Sequence, residues 1–193
     1  VLTILSPKAV TIANADPSTS TTNRIEVADG VSANITLAGV NIDVSSQSDT
    51  AAFKIADNSA GNVTITLADG TTNTLKSGDN CAGLQKNGEY SETLGKLTIT
   101  GTGTLTATGG DEGAGIGGGF ESDGSNITFE GGTVTATGGD YGAGIGGGDY
   151  NGSGSYIEIS GGTVTAKGGC YAAGIGGGWS GSGSDITISG GTI

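Results

Sequence analysis

A repeat of about thirty residues dominates the second half of the chain. The segments G-T-L-T-A-T-G-G, G-T-V-T-A-T-G-G and G-T-V-T-A-K-G-G begin at Gly103, Gly132 and Gly162, at spacings of 29 and 30 residues, and a fourth copy begins at Gly191. Self-similarity at this spacing is typical of a solenoid, in which each repeat buries its apolar face by stacking on the next. The repeat therefore predicts an elongated stack of coils.

Each repeat contains three short segments, and none of them has the 3.6-residue period of a helix. In the middle repeat the segments are N-I-T-F at 126–129, T-V-T-A-T at 133–137 and A-G-I-G-G-G at 143–148. Alternating β-branched residues bounded by Gly-Gly, Gly-Asp and Gly-Ser are typical of strands. Three strands per coil predict an all-β fold, a right-handed parallel β-helix of about six coils.

The first half of the chain carries the same pattern in a less regular form. Stretches of alternating apolar and polar residues lie at 34–44, 62–75 and 96–108. The spacing between the last two is longer because of an insertion at 86–93, which predicts a projecting loop. We expect a single domain over 1–193, with 1–33 as an N-terminal cap and first coil and 34–193 as repeat coils. The last copy stops halfway through a repeat, so we expect the native protein to continue beyond Ile193.

Alignment of the repeats predicts three inward rows of apolar side chains, which would close the core by nearest-neighbour packing. The first row contains Phe53, Leu84, Ile116, Ile145 and Ile175, the second Leu105, Val134, Val164 and Ile193, and the third Ile127, Ile157 and Ile186.

The glycine motif G-A-G-I-G-G-G at 113–119 includes the G-x-G-x-x-G spacing of a dinucleotide site. The same seven residues return at 142–148, and almost unchanged at 172–178. Turn residues follow the motif, whereas a dinucleotide site needs a helix at that point. We interpret the glycines as corner residues of the coils.

The charge balance excludes several classes of partner. The chain has 7 basic and 19 acidic residues and no histidine, a net charge of −12. Such a surface repels nucleic-acid phosphates and anionic lipid headgroups, and no apolar run is long enough to insert into a membrane. It is compatible with a cation site, with neutral sugars, or with a polyanion bridged by calcium. The oligomeric state is left open.

The residue types needed for catalysis are scarce. Histidine is absent, Arg24 is the only arginine, and no serine or cysteine lies in a nucleophile elbow, so a non-catalytic role is favoured. The alignment places Cys81 and Cys170 about three coils apart, roughly 14 Å, which is beyond the reach of a disulfide bond. We expect two free thiols.

Aromatic and acidic residues flank the glycine motifs in aligned rows. Aromatic faces stack on sugar rings, and carboxylate and carbonyl oxygens bind Ca²⁺, so these rows predict a polysaccharide-binding site with calcium as its cofactor. The candidate ligand-binding residues are Asp111, Glu112, Phe120, Asp140, Tyr141, Asp149, Tyr150, Tyr171 and Trp179, and the candidate calcium ligands are Asp111, Asp140 and Asp149. The same residues also fit a structural role, as rings beside turns and solubilising acids.

Three stretches carry a family resemblance. They are L-A-D-G-T-T-N-T-L at 67–75, K-L-T-I-T-G-T-G-T-L-T-A-T at 96–108 and I-S-G-G-T-V-T-A at 159–166. Together they resemble the bacterial extracellular carbohydrate-binding domain family of right-handed β-helices, which are similar to pectate lyases in fold. The resemblance covers most of 34–193. It implies a secreted or cell-surface protein that binds acidic polysaccharide such as polygalacturonate, with calcium, and does not cleave it.

Three alternative functions remain open. The rod could be a structural spacer or adhesin stalk, or a polysaccharide lyase with carboxylates and Lys167 at its site. Ice binding is the third alternative, because threonine columns project from successive coils, although Lys167 interrupts one column and the earlier coils lack the array. The columns contain Thr104, Thr133, Thr163 and Thr192 in one row and Thr106, Thr135 and Thr165 in another.

Overall fold

The computed structural model describes residues 1–88 and 94–193, and in these ranges the regular secondary structure consists of β-strands. Residues 89–93 of the predicted insertion loop lie outside the described residues. The strands are β1 (Leu2–Ile4), β2 (Val10–Ile12), β3 (Ile25–Val27), β4 (Ala33–Leu37), β5 (Asn41–Asp43), β6 (Phe53–Ile55), β7 (Val63–Leu67), β8 (Thr72–Lys76), β9 (Leu84–Lys86), β10 (Leu97–Gly101), β11 (Thr104–Thr108), β12 (Ile116–Gly117), β13 (Gly124–Phe129), β14 (Thr133–Thr137), β15 (Ile145–Gly146), β16 (Gly154–Ile159), β17 (Thr163–Lys167), β18 (Ile175–Gly176) and β19 (Gly183–Ile188).

The strands form three parallel sheets that run along the molecule. The first sheet has the order β1-β3-β6-β9-β12-β15-β18, the second β2-β4-β7-β10-β13-β16-β19, and the third β5-β8-β11-β14-β17. Consecutive strands pass from sheet to sheet, so five complete turns, from β3–β5 to β15–β17, lie between a partial turn at each end. The predicted parallel β-helix with three strands per coil is confirmed, and its right-handed winding stays a prediction.

The first inward row has the predicted register. Phe53 pairs with Leu84, and Ile116 follows on Leu84 in the next turn. Ile145 and Ile175 continue the row. The first four of these side chains are fully buried, so each turn packs its apolar residue on the one below.

The other two rows are confirmed except at their last members. Leu105 pairs with Val134 and Val134 with Val164, while Ile127, Ile157 and Ile186 pair in order. Ile186 and Ile193 are 36% and 57% exposed, because no strand packs beyond them within the described residues. Ile186 keeps the predicted register on Ile157, but neither of these last members is buried.

Two polar residues occupy inward positions that the pattern did not predict. Asn73 pairs with Leu105 in the second row and is fully buried. Its Oδ1 accepts hydrogen bonds from the N–H groups of Gly39 and Val40, at 3.0 and 2.9 Å, and its Nδ2 donates to the carbonyl of Thr104 at 3.1 Å. The amide thus forms hydrogen bonds with backbone groups in the turns below and above, and these bonds offset the free-energy cost of burying a polar side chain.

Lys86 is the second inward polar residue. It pairs with Ile55 of the turn below, in a row that otherwise carries apolar side chains, and it is 4% exposed. Burial lowers the pKa of its ammonium to about 8, because the charged form is poorly solvated there. The solenoid therefore holds a lysine whose charge is costly at neutral pH.

Candidate functional site

Each glycine motif closes into a narrow loop. The N–H of Ala114 donates to the carbonyl of Gly118 at 2.9 Å, and the same bond joins Ala143 to Gly147 at 3.0 Å. In the copies at 113–119 and 142–148 every residue is buried, and the isoleucine lies in the core. The motif was predicted to be a tight corner with its isoleucine in the core, and in the structure it is a tight loop that is also buried along its whole length.

Close stacking of these loops requires glycine. Gly146 has a φ of +133°, and a Cβ atom placed on it would lie 1.9 Å from the carbonyl oxygen of Gly176. A Cβ atom on Gly142 would lie 2.0 Å from the carbonyl oxygen of Gly113. Side chains are excluded because successive loops approach through their backbones. The glycines therefore have a packing role in the solenoid.

Backbone hydrogen bonds bring the two ends of the motif together. The N–H of Asp149, directly after one motif, donates to the carbonyl of Glu112, directly before the motif of the preceding turn, at 2.8 Å. Trp179 donates to Tyr141 in the same way at 2.9 Å. The rows before and after the motif, which the sequence assigned to one or two corners, therefore form one continuous surface.

Five aromatic side chains form a strip on this surface. The ring centroids of Phe120 and Tyr150 are 6.5 Å apart, and those of Tyr150 and Trp179 are 6.1 Å apart. Trp179 meets Tyr141 edge to face at 6.3 Å, and Tyr141 stacks on Tyr171 at 5.4 Å with an interplanar angle of 10°. The rings are 36% to 62% exposed. We call these five residues the aromatic strip.

Two exposed aspartates lie beside the tyrosines of the strip. The N–H of Tyr141 donates to the carbonyl of Asp111 at 3.1 Å, and the N–H of Tyr171 donates to the carbonyl of Asp140 at 3.2 Å. The two aspartates are therefore one turn apart, in the row that the alignment predicted. Their carboxylates and the neighbouring rings face solvent together.

Glu112 lies between the aspartate row and Asp149. The side chain is half-buried, and burial raises its pKa above the ordinary value, with smaller contributions from the charges of Asp149, Asp79, Asp111 and Asp49. The contributions of these four carboxylates, which are smaller than that of burial, indicate a negative potential beside the start of the motif. A cation placed here would reduce that potential.

Asp149 differs from the other predicted ligands because it is 7% exposed. Its Oδ1 accepts a 2.6 Å hydrogen bond from the N–H of Tyr150, so this carboxylate oxygen already has a partner within its own turn. In the described part of the chain, no group of three or more acidic, histidine or cysteine side chains is placed to hold a metal ion. A calcium site at Asp111, Asp140 and Asp149 stays a prediction, and it would need ligands from outside the protein.

The two cysteines are free and differ in exposure. Cys81 is buried, and burial raises the pKa of its thiol to about 11, while Cys170 is exposed. Cys170 directly precedes Tyr171 and occupies the place that Asp140 has one turn below. The candidate residues did not include this cysteine, although the repeat alignment places it in the aspartate row.

The outer face of the third sheet carries the threonine array. Thr72 pairs with Thr104 and Thr74 with Thr106, so the array begins one turn earlier than the sequence indicated. The expectation that the earlier coils lack the array is wrong for this turn. The paired columns are Thr72, Thr104, Thr133, Thr163 and Thr192, and Thr74, Thr106, Thr135 and Thr165. These side chains are exposed or half-buried.

Two clefts lie elsewhere on the molecule. One of about 410 Å³ is at the N-terminal end of the stack and is lined by residues that include Leu2, Ile12 and Ile25. The other, of about 310 Å³, lies among Asp57, Asn87 and neighbouring residues. Neither is lined by a ring of the aromatic strip.

Comparison with known proteins supports the fold. A family model described as a beta helix repeat matches residues 97–120, 127–149 and 157–179. These segments contain four of the five strip residues, all except Tyr150. No curated protein and no solved structure matches the chain. Among the described residues, no helix has the length and apolar character needed to cross a membrane. The repeat match and the three stacked sheets define the protein as a parallel β-helix.

Proposed function

We propose that this β-helix is a non-catalytic polysaccharide-binding protein and that the aromatic strip is its binding surface. The observation that carries the proposal is the continuity of the strip: each ring contacts the next, and all five are exposed. A contiguous exposed apolar patch is typical of a binding site, and aromatic faces stack on the apolar faces of sugars.

The direction of the strip favours a polymer. Phe120, Tyr150 and Trp179 come from three successive turns, so their rings follow one another along the stack. An extended glycan lying along the solenoid would contact several rings, whereas a single sugar would contact one or two. A secreted or cell-surface location, as the family resemblance implies, would give the protein access to such polymers.

The proposal includes calcium because an acidic polymer would need a cation to bind beside the aspartates. The net charge of −12 and the exposed carboxylates of Asp111 and Asp140 repel a uronate chain. Ca²⁺ takes six to eight oxygen ligands, so an ion beside these aspartates would be completed by carboxylates of the polymer. Binding of polygalacturonate should therefore require calcium, while binding of a neutral glycan should not.

A glycan array and calorimetry test the proposal. Wild type is expected to bind a plant or uronic-acid polymer, and Trp179→Ala to weaken that binding at least tenfold, because the central ring of the strip is lost. Tyr156→Asn is the matched control: it removes an exposed ring from β16, and Asn126 occupies the equivalent position one turn below. The absence of binding to every polymer, with and without EDTA, would favour the spacer function.

The threonine array supports ice binding as a second candidate function. Four consecutive turns each present two threonines on the same face, and parallel strands repeat at about 4.8 Å. A flat and regular array of hydroxyl and methyl groups can order water. Thermal hysteresis tests this function, and replacement of Thr135, in the centre of the array, by lysine should abolish it.

A further inference from the structure

Among the residues that the structure describes, the carboxylates beside the aromatic strip form no ion pairs with basic side chains. In the described ranges 1–88 and 94–193, the four salt bridges are Arg24–Glu26, Lys54–Asp57, Lys76–Asp43 and Lys96–Glu158. None of them involves Asp111 or Asp140. The tyrosines of the strip therefore lie next to exposed negative charges that no basic side chain of these ranges neutralises.

Other carboxylates reinforce this negative potential. Half-buried Glu112 and buried Asp149 lie next to this surface, and the raised pKa of Glu112 has the charges of Asp149, Asp79 and Asp111 among its causes after burial. A ligand at the strip therefore meets two features together. It meets the faces of aromatic rings, and it meets a field that favours positive charge.

Rings and carboxylates recognise different parts of a cationic sugar. The apolar face of a pyranose stacks on an aromatic ring, and an ammonium group is attracted both to a carboxylate and to the face of a tyrosine or tryptophan. A neutral sugar gains only the stacking. A uronate gains the stacking but is repelled by the aspartates, unless a divalent cation lies between them.

We propose that the aromatic strip, with Asp111 and Asp140 beside it, selects polymers of unacetylated amino sugars over their neutral and anionic counterparts. This inference rests on the proposed polysaccharide-binding function and names the class of polymer. The two aspartates are one turn apart, about 4.8 Å along the stack, so an extended chain that lies along the strip passes both carboxylates.

Calorimetry with three oligosaccharides of equal length tests the selectivity. The probes are the hexamers of glucosamine, N-acetylglucosamine and galacturonic acid, at pH 5.5, in low salt and with EDTA. At this pH the sugar amines are protonated. We expect the glucosamine hexamer to bind about tenfold more tightly than its acetylated form, with the galacturonate hexamer weakest. Added salt should reduce the difference between the first two.

Two double variants locate the charges responsible. Asp111→Asn with Asp140→Asn should weaken binding of the glucosamine hexamer by about three- to tenfold and leave the acetylated hexamer unchanged. Asp69→Asn with Glu130→Gln removes the same charge from exposed positions between the second and third sheets, and it should leave both affinities unchanged. An equal loss in the two double variants would overturn the inference, because attraction would then follow from net charge alone.

The outcomes separate this inference from the function on which it rests. If the acetylated hexamer binds through Trp179 and the glucosamine hexamer binds no better, only the charge selectivity is wrong. If no hexamer binds, the inference is wrong, and the proposed function fails as well when no polymer of the array binds with or without EDTA. A hexamer of lysine that binds as tightly as the glucosamine hexamer, without loss in Trp179→Ala, would also overturn the inference and would indicate a basic protein partner.

Discussion

The backbone N–H of Trp179 donates a 2.9 Å hydrogen bond to the carbonyl oxygen of Tyr141. Trp179 follows one glycine motif and Tyr141 precedes the motif of the turn below, so the bond joins two ends that the chain separates by 38 residues. It also holds their rings edge to face with centroids 6.3 Å apart. The ring surface therefore depends on how the buried glycine loops close.

Ligand binding should change the fluorescence of the single tryptophan. Trp179 is 42% exposed and contacts Tyr141 and Tyr150, so a sugar stacked on the strip would alter its solvent contact. We expect a saturable shift of the emission maximum during titration with the polymer identified on the array. Tyr141→Ala should weaken the titrated affinity at least tenfold, and Tyr156→Asn should leave it unchanged. Saturable binding without any change in emission would place the ligand elsewhere.

Substitution of a loop glycine should damage the whole solenoid. Gly146→Ala places a Cβ atom 1.9 Å from the carbonyl oxygen of Gly176 and forces alanine to a φ of +133°, so the free energy of unfolding should fall by about 3 kcal/mol or more. Gly70→Ala is the control, because Gly70 also has a positive φ but its Cβ atom would meet open space. It should cost only about 1 kcal/mol. Urea unfolding measures both, and equal losses would contradict the close loop packing.

Lys86 should make stability depend on pH. Its pKa is lowered to about 8 in the fold from an ordinary value of 10.5, so the unfolded chain binds more protons between these pH values. The free energy of unfolding should therefore rise with pH across this window. Lys86→Met should raise stability by about 1–3 kcal/mol at pH 7, and the gain should shrink towards pH 10.5.

Lys54→Met is the matched control for Lys86. Lys54 lies one turn below on the outward side, and its exposed ammonium forms a salt bridge with Asp57 at 3.0 Å. An exposed ion pair contributes about 0–1 kcal/mol, so the control should change stability little at either pH. Urea unfolding at pH 7 and pH 10 compares the three proteins. The same slope with pH in wild type and Lys86→Met would show that this lysine is not the group responsible.

The two thiols should differ strongly in reactivity. The thiolate is the reactive form, and Cys81 is buried with its pKa raised to about 11, whereas Cys170 is exposed. A disulfide reagent should therefore modify one thiol per native chain and two after unfolding. Cys170→Ser should remove the native reaction, and Cys81→Ser should leave it. Because Cys170 adjoins Tyr171, saturating polymer should slow the reaction, and an unchanged rate would argue against binding at this end of the strip.

The repeat in the sequence is sufficient to specify the architecture, because in a solenoid one repeat is one turn and the linear period becomes the stacking direction. Alignment of the repeats alone assigns the row from Phe53 to Ile175, and the strand pairing agrees with it. The alignment also places Asp111 beside Asp140. Equivalent positions in successive repeats must be neighbours in the stack, whichever side chains they carry.

The bending of each turn in cross-section, by contrast, is set by tertiary contacts. The two aromatic rows are joined by hydrogen bonds between different turns, from Trp179 to Tyr141 and from the buried Asp149 to Glu112. The inward positions of Asn73 and Lys86 were also hidden, because neither side chain fits the apolar pattern that marks the core. Periodicity specifies which residues stack, whereas the direction in which a side chain or loop folds is set by contacts across turns.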